Sequence, residues 1–167
     1  MSNKGELLNN LFSLLEREDG LLGDLVVAAR DQTVALKDNS LEAIRASVER
    51  LNALGVEMNG LEKERLAVQE ALEKELSLAP GSVLTDVIGC TCGSEREKLT
   101  FFLDSMRGKA RLLRETNHIN AAMNRQAMAF NRVVLKAIDP AIAGFTYGSR
   151  GAIERGAAVN PLFNKTV

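Results

Sequence analysis

Tryptophan is absent from the 167 residues, tyrosine occurs once and phenylalanine six times. A core with so few rings has to be built from Leu, Ala, Val, Ile and Met, which suits long helices meeting along narrow seams better than a compact globule. Proline occurs only at Pro80, Pro140 and Pro161, leaving two long stretches in which nothing interrupts a helix. An all-α fold follows. The two cysteines, Cys90 and Cys92, are too few and too close for a disulfide framework. No run approaches the ~18 uninterrupted apolar residues of a membrane span, and MSNKGELLNN has no apolar core of a signal peptide. The expectation is a soluble cytoplasmic protein with no membrane insertion.

The formal net charge of −1 conceals an asymmetry. Residues 1–78 carry nine basic and fifteen acidic side chains, whereas residues 95–167 carry twelve basic and six acidic. Halves of opposite sign suit antiparallel helices folded on each other, and neither sign is concentrated enough to argue for nucleic acid.

Apolar residues at Leu8, Phe12, Leu15, Leu22, Val26, Ala29 and Leu36 fall three, four or seven apart and predict an amphipathic helix from Glu6 to about Lys37. Gly20 and Gly23 interrupt it and predict a bend or local softness. In KDNSLE, Asn39 or Ser40 can cap a second helix from Leu41 to about Leu78. Its expected seam is Leu41, Ile44, Val48, Leu51, Leu54, Met58, Leu61, Arg65, Val68 and Leu72. So short a connection folds the two helices into an antiparallel hairpin. After Ala79-Pro80-Gly81, Ser82 is the expected cap of a short helix through Ile88, and Ser94 with Glu97 reads as the capping box of a last helix from Glu95 to about Ile138.

That last helix would span roughly 65 Å at 1.5 Å per residue. Its seam, Leu99, Leu103, Met106, Ala110, Leu113, Asn117, Asn120, Asn124, Ala127, Asn131, Val134 and Ile138, holds a 3.5-residue period. The predicted organisation is a helical bundle over 1–139 and an extended or flexible tail over 140–167. The bundle is an elongated antiparallel hairpin plus a third long helix, with a short connecting helix.

Little points to catalysis. Cys90-Thr91-Cys92 lacks the further ligands a zinc site needs, and two free thiols are the expected reading. His118, the lone histidine, sits on a helix as a phosphoacceptor would, but Ala121 and Ala122 follow where phosphotransfer domains carry Lys and Gly. No phosphate loop, dinucleotide fingerprint or His-Glu-x-x-His motif is present. No enzyme activity, metal or cofactor is expected.

The unusual feature is RETNHINAAMNRQAMAFNR, where Asn117, Asn120, Asn124 and Asn131 share one helical stripe. Asparagine is a mediocre helix former, so four aligned in a helix interior need a reason. A second apolar line, Leu112, Ile119, Met123, Phe130 and Ala137, lies roughly 100° or more around the helix. Two readings stand. The asparagines set helix register inside a bundle, or they border a surface that receives a partner.

Three features together resemble the FlgN family of flagellar export chaperones. They are the hairpin from LLEREDGLLGD to AVQEAL with its turn at Asp38-Asn39, the Asn117-x-x-Asn120 element followed by an apolar stretch and Asn131, and the tyrosine-glycine turn FTYGSRG. Between Tyr147 and Gly151 this chain has no acidic residue, where the family commonly has one. The resemblance implies a non-enzymatic cytoplasmic chaperone that binds C-terminal helical segments of the hook-filament junction proteins FlgK and FlgL. It would keep them unassembled and deliver them to the flagellar type III export apparatus, meeting export gate or ATPase components there. An amphipathic segment of that kind needs a groove with contacts at helical spacing. The expected substrate-binding residues are Asn117, Ile119, Asn120, Met123, Asn124, Met128, Phe130 and Asn131, with Met123 and Met128 adaptable in shape. The resemblance also implies Tyr147 as an export-gate docking residue. The competing reading is a structural coiled-coil adaptor or dimerisation bundle.

Overall fold

The computed structural model describes residues 3–138, 145–147 and 153–155. Four helices follow in order, α1 (Asn3–Lys37), α2 (Leu41–Glu75), α3 (Leu84–Gly89) and α4 (Gly93–Ile138). A two-stranded antiparallel hairpin, β1 (Phe145–Tyr147) and β2 (Ile153–Arg155), comes after them. The chain divides into two compact units, 1–121 and 122–167.

In the first unit α1 and α2 form the expected antiparallel hairpin. The turn works because Asn39 takes a left-handed conformation (φ 51°). Ser40 then caps α2, its hydroxyl accepting from the Ala43 N–H. Arg17 with Glu64, Glu18 with Arg65 and Asp31 with Arg50 pair across the two helices, early residues of one against late residues of the other. α4 runs the opposite way to α2, because Asp19 meets Ser105 and Lys109 whereas Ala29 and Thr33 meet Asn120.

The central helix is α1, and that corrects its expected seam. Besides Leu8, Leu15, Val26 and Ala29, the residues Leu11, Leu14, Leu21, Leu25 and Ala28 are buried. Leu14 and Leu21 pack with Leu61, Leu54 and Met58 of α2. Leu8, Leu11 and Leu15 share a cluster with Leu72, Val87 and Leu99 from the other three helices. A helix with neighbours on two sides buries two stripes, and a single-stripe reading recovers four of the ten apolar residues that α1 buries, Ala35 among those missed. Fully burying each leucine contributes roughly 1.5–3 kcal/mol, so this end of the bundle is its apolar anchor.

Other expectations are corrected locally. α1 runs unbroken through Gly20 and Gly23, because tertiary packing on both faces outweighs two poor helix formers. On α2, Leu41 (81% exposed) and Val48 face solvent, and Ser47 is buried instead. α2 ends at Glu75, not Leu78. Leu76 caps it and Ser77 turns left-handed (φ 55°), so that the Leu78 N–H reaches the Glu73 carbonyl at 2.8 Å. Ser82 does not cap α3. Its hydroxyl donates to the Ala79 carbonyl, and the Asp86 carboxylate takes the Val83 N–H at 2.8 Å. α4 begins at Gly93 (φ 56°), which places Ser94 inside the first turn rather than at the cap.

One ion pair lies inside the hairpin. Glu18 is 2% exposed and accepts from Arg65 Nε at 3.0 Å. Arg65 also donates to Gln69 Oε1 at 2.9 Å, and Gln69 donates onward to the Ser82 carbonyl. The network ties α1, α2 and the turn before α3 together. Burial pushes the Glu18 carboxyl above its ordinary range, against the pull of Arg65's charge and hydrogen bond.

In the second unit, α4 continues to Ile138, and the tail carries the β-hairpin with Tyr147 paired to Ile153. The expectation of an extended tail over 140–167 falls largely on positions 140–144, 148–152 and 156–167, outside the described residues. No helix is long and apolar enough to cross a membrane among the described residues.

Candidate helix-binding face of α4

The asparagine stripe does not behave as one unit. Asn120 is 5% exposed, while Asn117, Asn124 and Asn131 are exposed. In the first unit the Asn120 amide meets α1 with every strong contact satisfied. Its Nδ2 donates to the Ala29 carbonyl at 2.8 Å and to Gln32 Oε1 at 3.0 Å, and Thr33 Oγ1 donates to its Oδ1 at 2.7 Å. An amide that donates twice and accepts once fixes where α4 lies along α1 far more sharply than a leucine would.

A second polar clamp lies about three turns earlier. Ser105 Oγ donates to Asp19 Oδ1 at 2.7 Å, and Lys109 Nζ bonds both Asp19 Oδ2 and the Asp19 carbonyl at 2.8 Å. The ammonium approaches beside Gly23, where a Cβ would stand 3.8 Å from Nζ. Together the two clamps set the α1–α4 register. Thr116 is also buried on this face, its hydroxyl turned back to the Leu112 carbonyl at 2.9 Å. Ile119 and Asn117 face outward.

In the second unit the side of the helix in line with Lys109, Leu112 and Thr116 is apolar. Met123, Ala127, Phe130, Val134 and Ala137 follow at steps of four, three, four and three, one apolar seam along α4. Phe130 is 67% exposed, Ala127 and Ala137 are exposed, and Met123 and Val134 are half-buried. Ala127 and Ala137 leave hollows beside Met123, Phe130 and Val134, a relief into which the side chains of another helix fit.

By helix geometry Asn124 and Asn131 stand about a quarter-turn to one side of the seam, and exposed Met128 and Leu135 lie just beyond them. Arg125, Arg132 and Lys136 occupy the opposite side, a solvated back. The face can therefore offer dispersion and area along its centre, with two amides at the border to donate or accept.

The sequence reading thus placed Met123, Phe130, Asn124, Asn131 and Met128 on or beside one surface. It missed Ala127, Val134 and Leu135. Ala127 and Val134 were assigned to the asparagine line, although their spacing to Met123 and Phe130 was readable. Tyr147 is the last residue of β1. Cys90 and Cys92 are both exposed.

No curated protein and no solved structure gives a match to this chain. The family model described as FlgN protein matches residues 1–155, nearly the whole length. On this match, the chain belongs to the FlgN family, the flagellar export chaperones.

Proposed function

We propose that this chaperone acts in the cytoplasm, without catalysis, by holding a C-terminal helical segment of FlgK or FlgL against the exposed seam of α4. Exposed Phe130, in line with Met123, Ala127, Val134 and Ala137, is the observation that carries the reading. A helix laid along this seam supplies knobs for the alanine-lined hollows and covers rings and thioethers that otherwise face water. Asn124 and Asn131 add adaptable hydrogen bonds, and Met123 and Met128 can reshape to accept either junction protein. Asn120 supports the site indirectly by holding α4 on α1. Tyr147 serves as a docking residue for export gate or ATPase components.

The test replaces Met123 and Phe130 with Asp and measures complex formation with C-terminal FlgK and FlgL fragments by size-exclusion chromatography with light scattering. Capture should vanish while circular dichroism stays helical. Undiminished capture refutes the site, and self-association without any hetero-complex supports an adaptor instead.

A further inference from the structure

The seam of α4 accounts for one exposed aromatic residue and leaves another. Phe101, near the start of α4, is 65% exposed. Three of the chain's six phenylalanines, Phe12, Phe101 and Phe102, line a groove of about 460 Å³ between α1 and α4, together with Glu16, Glu97 and Lys98. The Phe101 and Phe102 rings meet edge to face, centroids 5.6 Å apart at 68°. Lys98 Nζ already stands 5.6 Å from the centre of the Phe12 ring. One ring of this groove therefore holds a cation from the chain itself.

The rim is acidic. Glu97 precedes Phe101 by four residues and Asp104 follows it by three, so both flank it along the helix, and Glu16 faces it from α1. None of these three carboxylates makes an ion pair among the described residues, whereas Asp19, Glu18 and Glu64 nearby all do. A ring with an open face, bordered by unpaired carboxylates, attracts a cation through its quadrupole and through the rim charge together. A guanidinium suits it better than an ammonium, being flat enough to stack on the ring and forked enough to meet a carboxylate with two N–H groups.

We propose that this groove is a docking site for an arginine-bearing segment of a partner protein. The guanidinium stacks on Phe101 between Glu16 and Glu97, and an adjacent apolar residue enters over Phe102. The surface is separate from the seam of Met123 to Ala137 and does not depend on the function assigned to that seam. It gives the chaperone a second handle for an export component.

The experiment selects short random peptides displayed on phage against the full chain, with counter-selection on Phe101→Ala. That variant should fold, because the side chain is mostly in water already. Enriched peptides should carry Arg next to an apolar residue. Titration calorimetry of the tightest should show affinity falling about tenfold when Arg is replaced by citrulline, and similarly for the Glu16→Gln/Glu97→Gln variant, with helical circular dichroism unchanged. Equal affinity for the citrulline peptide overturns the proposal, as does enrichment without arginine or no enrichment over Phe101→Ala. Self-association of the wild type that disappears in Phe101→Ala, with no peptide enriched, assigns the groove to a second copy of the chain and also overturns it.

Discussion

Replacing Asn120 by Ala separates the structural asparagine from those offered for recognition, and the sign of the effect decides. Asn120 makes three hydrogen bonds to α1, at 2.7, 2.8 and 3.0 Å. At about 1 kcal/mol net each, the sum is about 3 kcal/mol. Two of the orphaned groups recover. The Thr33 hydroxyl is already 3.1 Å from the Ala29 carbonyl, and Gln32 is half-exposed and can turn to water. Ala also gains about 0.6 kcal/mol of helix propensity over Asn. A net loss of about 1–2 kcal/mol remains, which for a chain of this size lowers Tm by about 3–6 °C.

Asn124→Ala and Asn131→Ala remove exposed amides and should raise Tm slightly through the same propensity term. Thermal unfolding followed by circular dichroism at the helical band reads all three variants. Junction-fragment binding should show the reverse order, with the Asn124 and Asn131 variants weakened most. The reasoning is refuted if Asn120→Ala melts at or above the wild-type temperature, or if all three variants shift together.

Three further outcomes follow from the same contacts. Because the folded Glu18 carboxyl sits above its ordinary value of 4.5, the folded chain binds that proton more readily than the unfolded one. The stability this adds is complete below the unfolded pKa and is lost as pH rises through the raised folded value. The stability difference between wild type and Glu18→Gln, from denaturant titrations, should therefore shrink with rising pH across that window and be flat outside it; a difference that grows with pH contradicts the assignment. Gly20→Ala, with open space around the added Cβ in a helix interior, should stabilise by about 1 kcal/mol, whereas Gly81→Ala at φ 82° should destabilise by about 1–2 kcal/mol; equal denaturation midpoints would contradict both. Tyr147→Ala should leave junction-fragment binding intact and reduce secretion of FlgK and FlgL, so unchanged secretion removes Tyr147 from the docking role.

The sequence by itself determined the helices of this protein and their number, but not the β1–β2 pairing of the tail. Scarce aromatics, three prolines, apolar residues at helical spacing and a two-residue turn at Asp38-Asn39 leave little besides a long hairpin and a third long helix, since these patterns act over a few residues along one chain. Met123 and Phe130 were legible as a second apolar line for the same reason. Tertiary structure decided which side of each helix has a neighbour. It put α1 in the middle with two buried stripes, drew Glu18 inside against Arg65 and left Leu41 and Phe101 in water. It also divided the four asparagines, because Asn120 alone comes within reach of the Ala29 carbonyl, Gln32 and Thr33. Spacing fixes the face on which a side chain lies, but only the approach of another helix fixes what that face meets.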